Sequence, residues 1–315
     1  MSPTHTALHT AASLAAIGAG GLAYASVIER NAFTVRRANA PVLPTGAVSL
    51  RVLHISDIHL VPRQTRKIEW IRSLAALEPD LIVNTGDNFG DLGALPAVLR
   101  ALEPLFAVPG VFVLGSNDYF APGLKNPVRY LTKAHARHQA SVPLPTTDLA
   151  DAFCAAGWAD LSNARSRLSV AGQTLDFVGV DDPHLHYDRY AAVAGPHDPS
   201  ATLTVGVTHA PYTRVLDSMT ADGAGLVFAG HTHGGQLCLP FYGTLVTNCD
   251  LDRRRAKGLS RWWPGAGHTP SSEAPADAAW MHVSAGLGTS PYAPVRFACR
   301  PEVTLLTLTA KPAGS

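Results

Sequence analysis

Five short runs of β-branched and apolar residues in this 315-residue chain each end on side chains that bind metal ions. Arg51 to Ser56 leads into Asp57-Ile58-His59, Asp80 to Thr85 into Gly86-Asp87-Asn88, and Val111 to Leu114 into Gly115-Ser116-Asn117-Asp118. Leu203 to Thr208 leads into His209, and Leu226 to Ala229 into Gly230-His231-Thr232-His233-Gly234. Runs of this kind read as strands, and helical patterns over Thr65 to Leu77 and Leu95 to Leu105 separate the first three. The alternation predicts a layered α/β domain whose strand ends gather along one edge, where open α/β sheets hold ligands.

Further strands are predicted over Leu175 to Val180, Leu245 to Asn248, Trp280 to Ser284 and Val303 to Thr309, with fewer helices between them. A second sheet packed on the first follows, and the chain is long enough to bury it. The body is expected over 49–310. Residues 31–48, with Pro41, Pro44 and Gly46, read as a linker. The basic, Pro-bounded stretch within 123–150 reads as a lid or insertion, and 258–277, rich in Gly, Pro, Ser and Ala, as a flexible loop.

Met1 to Ile28 carries no Asp, Glu, Lys or Arg, so residues 1–30 predict a single membrane-spanning helix. Arg30, Arg36 and Arg37 follow it, which by the positive-inside rule leaves the body in the cytoplasm. The competing reading is a cleaved export signal ending near Ala23-Tyr24-Ala25, although the positive n-region of such signals is missing. A net charge of +1 gives no footprint for nucleic acid. The four cysteines form no C-x-x-C pair and sit in the apolar context of buried free thiols.

Asp57, His59, Asp87, Asn117, His209, His231 and His233 offer imidazole, carboxylate and amide donors without thiolate, a set suited to Mn, Zn, Fe or Co. Seven donors exceed what one tetrahedral ion uses. Two divalent ions about 3.5–4 Å apart, sharing one carboxylate, would employ them all. Histidines outside these turns, His54, His135, His138, His197, His268 and His282, read as ordinary structural residues, while His184 and His186, after Asp181-Asp182-Pro183, are candidates for substrate binding.

The ordered set resembles the calcineurin-like metallophosphoesterase superfamily, in particular its bacterial membrane-associated branch, whose signature Gly-His-Thr-His-Gly-Gly-Gln stands here as Gly230 to Gln236. The resemblance implies a four-layer αββα sandwich of two mixed sheets with a dinuclear site at the sheet edge. It implies that Asp57, His59 and His233 hold one metal, that Asn117, His209 and His231 hold the other, and that Asp87 bridges them. The implied reaction is phosphodiester or pyrophosphate hydrolysis by a hydroxide held between the ions. The substrate would be a small phosphoester, and a lipid-linked one would suit a membrane tether; an enzyme resembling the UDP-2,3-diacylglucosamine pyrophosphatases is one alternative, and a metal-binding scaffold without activity another.

One departure bears on mechanism. The family reads Gly-Asn-His-Asp or Gly-Asn-His-Glu after the third strand, where this chain has Gly115-Ser116-Asn117-Asp118. Matching Asn to Asn makes Asn117 a ligand and puts Asp118 in the place of the leaving-group acid, and this register is preferred because an amide oxygen binds a hard cation better than a hydroxyl. The ungapped register puts Ser116 at the ligand position instead.

Overall fold

The computed structural model describes residues 3–123 and 142–312. In chain order its strands are β1 (Thr34–Leu43), β2 (Leu50–Ile55), β3 (Leu81–Asn84), β4 (Gly110–Phe112), β5 (Ala159–Asp160), β6 (Arg165–Val170) and β7 (Gln173–Gly179). There follow β8 (Leu203–Val207), β9 (Leu226–Ala229), β10 (Cys238–Leu239), β11 (Gly243–Thr244), β12 (Gly258–Trp262), β13 (Ala279–Val283) and β14 (Glu302–Ala310). The helices are α1 (Pro3–Ala23), α2 (Thr65–Arg72), α3 (Leu95–Leu102), α4 (Ser116–Tyr119), α5 (Thr146–Ala155) and α6 (Thr213–Ala221). Among the described residues these strands make two six-stranded mixed sheets, ordered β1-β14-β2-β3-β4-β5 and β12-β13-β9-β8-β7-β6, and the small hairpin β10-β11.

The period of two along each strand sorts side chains between layers. Leu53 and Ile55 of β2 face outward with Ile82 and Phe112, where α2, α3 and α5 cover them with Ile68, Ile71, Val98, Leu102, Leu149 and Phe153. Val52, Leu81, Val83 and Val111 face inward and meet Leu175, Phe177, Val205 and Phe228 of the second sheet. On the far side, Val215, Leu216 and Met219 of α6 cover Val178, Val227 and Met281. The result is the expected αββα sandwich. Because β2, β3 and β4 run parallel in one sheet, and β7, β8, β9 and β13 in the other, their carboxyl ends collect at one edge.

Five expectations are corrected or bounded. Most of the supposed linker 31–48 is β1, which pairs in parallel with β14 from Thr34↔Glu302 to Leu43↔Ala310. Pro41 is tolerated because β1 is an edge strand, where a missing N–H leaves no ladder bond unmade. Leu245 to Asn248 forms no strand, and the flexible loop 258–277 begins with β12, which pairs with β13. The lid expected over 123–150 falls largely on 124–141, outside the described residues, as do His135 and His138; its described end joins the body through a Phe120↔Pro143 bridge and helix α5. Of the cysteines, Cys238 and Cys299 are buried and free as expected, whereas Cys154 is exposed.

The helix α1 continues through a turn of π-helix over Tyr24–Ile28, and Leu14, Ile17, Leu22, Val27 and Ile28 are exposed along it. Ala12–Asn31 is long and apolar enough to cross a membrane.

Candidate metal centre

The turns after β2, β3 and β9 bend unusually sharply. Asp57, His59, Asp87, His231 and His233 all take positive φ, between 43° and 67°. That conformation is strained for side chains other than Gly, Asn or Asp, and residues held in it cluster at functional sites. Two glycines allow the turns to close on one another. A Cβ on Gly230 would meet Ser56 Oγ at 2.0 Å and Asp57 Oδ2 at 2.7 Å, and one on Gly115 would meet Asp87 Oδ1 at 2.4 Å and His209 Cε1 at 2.6 Å. The backbone there must come too close for any side chain.

The ligand atoms of Asp57, His59, Asp87 and His233 all lie within 4.8 Å of one another. Asp87 sits at the centre of the wider group. Its Oδ2 is 3.3 Å from His59 Nε2 and its Oδ1 is 3.6 Å from His209 Nε2, so each oxygen faces a different imidazole. On one side His59 Nε2 and His233 Nε2 are 3.2 Å apart and His233 Nε2 is 3.6 Å from Asp57 Oδ1. On the other side the His231 ring lies edge-on to His209 at 5.2 Å between centroids, and its backbone N–H donates to Asp57. Asn117 donates to both Asp87 oxygens at 2.7 Å, from its backbone N–H and its side-chain amide. The six other sequence candidates thus lie around the Asp87 carboxylate.

Electrostatics suits a cation. Burial pushes His59 down to about 4 and holds His231 and His233 well below the ordinary imidazole value, so these rings are neutral nitrogen donors. Burial alone would raise Asp87, but the adjacent His209 and His59 and the Asn117 donors outweigh it and keep the carboxyl below the usual range. Asp57 rises to about 6, chiefly through burial, with His209 opposing the rise. Burial would lower His209, yet Asp87, Asp182 and Asp57 around it carry it up to about 9. That excess of carboxylate charge is what a divalent cation would neutralise. His209 Nδ1 donates to the Thr85 carbonyl at 2.6 Å, which aims Nε2, buried and without a hydrogen bond, at Asp87. A ligating imidazole is oriented by a partner of this sort. The residues present fit a metal site.

Asp118, the expected leaving-group acid, lies beneath the Asp87 turn. Its carboxylate is buried and accepts from the backbone N–H of Asp87 at 2.8 Å, of Asn88 at 2.7 Å and of Gly115 at 3.0 Å. These bonds cap α4, tie it to the Asp87 turn and direct the expected acid toward the interior, while burial, with Asp87 adding to it, pushes the carboxyl up to about 6. His184 packs its ring on His231 at 4.5 Å and meets the Tyr212 hydroxyl at 3.1 Å, which brings it beside the cluster. His186 lines a separate shallow surface hollow with Asn163, Asp181, Tyr187 and Arg189.

Sequence reading missed several supporting groups. His282 Nδ1 meets His54 Nδ1 at 2.8 Å, His54 Nε2 meets Thr85 Oγ1 at 2.9 Å, Thr85 Oγ1 donates to Ser56 Oγ at 2.7 Å, and Ser56 Oγ donates to Asp57 Oδ2 at 2.5 Å. This buried chain runs from one sheet across to Asp57. Arg296, fully buried, donates to the carbonyls of Ala285, Gly286 and Gly288 and approaches His233 Nδ1 at 3.4 Å. Lys67, also buried, donates to the Ile58 carbonyl between Asp57 and His59. No motif marks these residues, and the His282–His54 and Thr85–Ser56 contacts span 228 and 29 positions.

A family model described as calcineurin-like phosphoesterase matches residues 50–235, more than half the chain and the whole segment that carries the ligands. The chain belongs to the calcineurin-like phosphoesterase family. This phosphoesterase is 26% identical over 309 residues to an uncharacterized metallophosphoesterase, YkuE, of Bacillus subtilis, a match covering 92% of this chain and 90% of that one. It is 26% identical to an uncharacterized metallophosphoesterase of Aquifex aeolicus, over 85% of this chain and 88% of the other. It is also 25% identical to a transmembrane protein with a metallophosphoesterase domain of Bos taurus, over 62% of this chain and 43% of that protein. With its cluster of carboxylates and imidazoles, the phosphoesterase is a metal-binding hydrolase of phosphoric esters.

Proposed function

We propose that this phosphoesterase binds two divalent ions and hydrolyses phosphodiesters or pyrophosphates of small molecules at the cytoplasmic face of a membrane, anchored by α1. The observation that carries the two-ion reading is the position of Asp87, whose oxygens face His59 and His209 separately, with Asp57 and His233 on one side and His231 on the other, while Asn117 spans both oxygens, its backbone N–H on Oδ1 and its side-chain amide on Oδ2. Such ions supply a nucleophile from water at neutral pH and neutralise charge developing on phosphorus oxygens. Asp57, His59 and His233 would hold one, and Asn117, His209 and His231 the other. To serve there Asn117 would release the amide N–H that it now donates to Asp87 Oδ2 and turn its oxygen toward the ion.

The preference for diesters and pyrophosphates rests on the Asn117 turn. Asp118 is withdrawn beneath three backbone amides, and the neighbours it leaves, Ser116 and Asn117, do not give up protons near neutral pH. Leaving groups that depart without protonation are therefore favoured over alkoxides. His184, packed on His231, stands where it can bind a substrate oxygen.

A substrate panel tests the reading. With Mn supplied, turnover of bis(p-nitrophenyl) phosphate is expected to exceed that of alkyl monoesters such as glycerol phosphate by at least about 10²-fold, the scale of a positioned acid. Equal turnover of both would overturn the diester assignment while leaving phosphoester hydrolysis in place.

A further inference from the structure

The hairpin β10-β11 follows the metal-site turn directly and ends in an exposed apolar tip. Leu239, Phe241 and Tyr242 are exposed there, with Leu237 and Leu245 exposed at its base, and Phe241 is wholly uncovered. Phe241 also takes φ 67°, a conformation that a bulky side chain adopts only at a cost. A chain that strains a phenylalanine and leaves it exposed bears the strain and forgoes the gain of burial unless something else receives the ring.

The same region is stitched to the end of the apolar helix. Arg296 N–H donates to the Ala25 carbonyl at 3.1 Å, and the Phe297 ring meets Tyr24 edge-on at 6.4 Å. The Glu29 carboxylate accepts from the backbone N–H of Ala298 at 3.1 Å and of Cys299 at 2.6 Å. Phe297 in turn exchanges backbone hydrogen bonds with Gln236 and Cys238, the residues that open the hairpin. The base of the hairpin is pinned to the metal-site turn, since Thr244 Oγ1 donates to the Gly234 carbonyl at 3.0 Å. Helix end, hairpin and His233 turn are therefore joined by one run of hydrogen bonds. Arg253, stacked on Tyr242 at 5.1 Å and bonded to its hydroxyl at 2.8 Å, adds a cation beside the tip.

We infer that the β10-β11 tip is a second membrane contact: Phe241, with Leu239 and Tyr242, inserts among the headgroups and upper acyl chains of the bilayer that α1 enters, and Arg253 meets anionic lipid phosphate. Aromatic side chains with a polar end settle at that depth, and one apolar anchor gains from a second, with a cation contributing where lipids are negative. The inference rests on the reading of α1 as a membrane anchor. Its consequence is that the metal site is held against the bilayer surface and set to receive phosphoesters presented there.

The test uses the full chain in vesicles of phosphatidylcholine and phosphatidylglycerol, with Phe241→Trp as reporter and the wild-type spectrum subtracted. Flotation with the vesicles checks the anchor first. The added emission is expected to shift to the blue and to be lost when the lipids carry a doxyl group high on the acyl chain. Tyr242→Trp, which keeps the stack with Arg253, should behave alike. Val48→Trp, exposed beyond the opposite end of β2 from Asp57, should be unaffected. Flotation without quenching at either tip reporter would overturn the inference while sparing the anchor. Failure to float would remove both. Shielding of the tip from an aqueous quencher without lipid quenching would show that a second copy covers it, and that too would overturn the inference.

Discussion

Asp118 shows how burial decides the role of a carboxylate. In sequence it stands beside Asn117 and invites reading as an acid; in the fold its two oxygens accept three backbone N–H bonds, tying the Asp87 turn to the start of α4. Asp118→Asn would set an amide N–H against one of those donors. The expected cost is about 1–3 kcal/mol of stability, the penalty of an unmade buried hydrogen bond. Chemical denaturation should show a lower midpoint, and the ratio of rates on nitrophenyl and alkyl leaving groups should stay as in the wild type. A penalty confined to basic leaving groups would return Asp118 to acid catalysis. The clustering of the candidate ligands was legible from the sequence because each follows an apolar run, and a strand's end is where a side chain leaves the core. His54 and His282 were not, since they meet across two sheets, 228 residues apart.

Elements carry the next set of constraints. β1 was hidden from sequence reading by Pro41 and by its exposed polar residues Arg36, Arg37 and Asn39; only its partner β14 reveals it. A chain beginning at Ile28 keeps Glu29 on the Cys299 turn and keeps β1, so it should be soluble and active. A chain beginning at Gly46 uncovers the β14 edge and should aggregate, because an unpaired strand edge recruits other chains. Soluble yield of the two truncations checks this, and equal yields would show β1 to be dispensable. The β9 turn makes a sharper demand. Gly230→Ala drives a methyl into Ser56 Oγ and Asp57 Oδ2. Overpacking of that kind costs about 1–3 kcal/mol, and here it also displaces a ligand. A fall in Tm together with reduced metal content is expected; a variant with wild-type metal content would mean that the turn yields more easily than the contacts allow.

At the scale of the molecule, two sheets of different origin in the chain present their carboxyl ends at one edge, and Asp87 stands where ligands from both meet. The first sheet supplies Asp57, His59 and Asp87, the second His209, His231 and His233, so the centre exists only when the sandwich has closed. The alternation of strands and helices made that architecture legible, while the sequence carried no sign that the N-terminal helix, the His233 turn and the β10-β11 hairpin would be joined through Arg296 to Cys299. The central claim is that Asp87 is shared by two ions. Metal analysis of wild-type protein and of Asp87→Asn, each stripped with chelator and reloaded with Mn, measures it most directly, with bis(p-nitrophenyl) phosphate turnover followed in parallel. The account predicts about two ions per wild-type chain and clear loss of bound metal in the variant, with turnover abolished by chelator in the wild type and falling by several orders of magnitude in Asp87→Asn. One ion per fully active chain, or an Asp87→Asn variant that keeps wild-type metal content and rate, would contradict it.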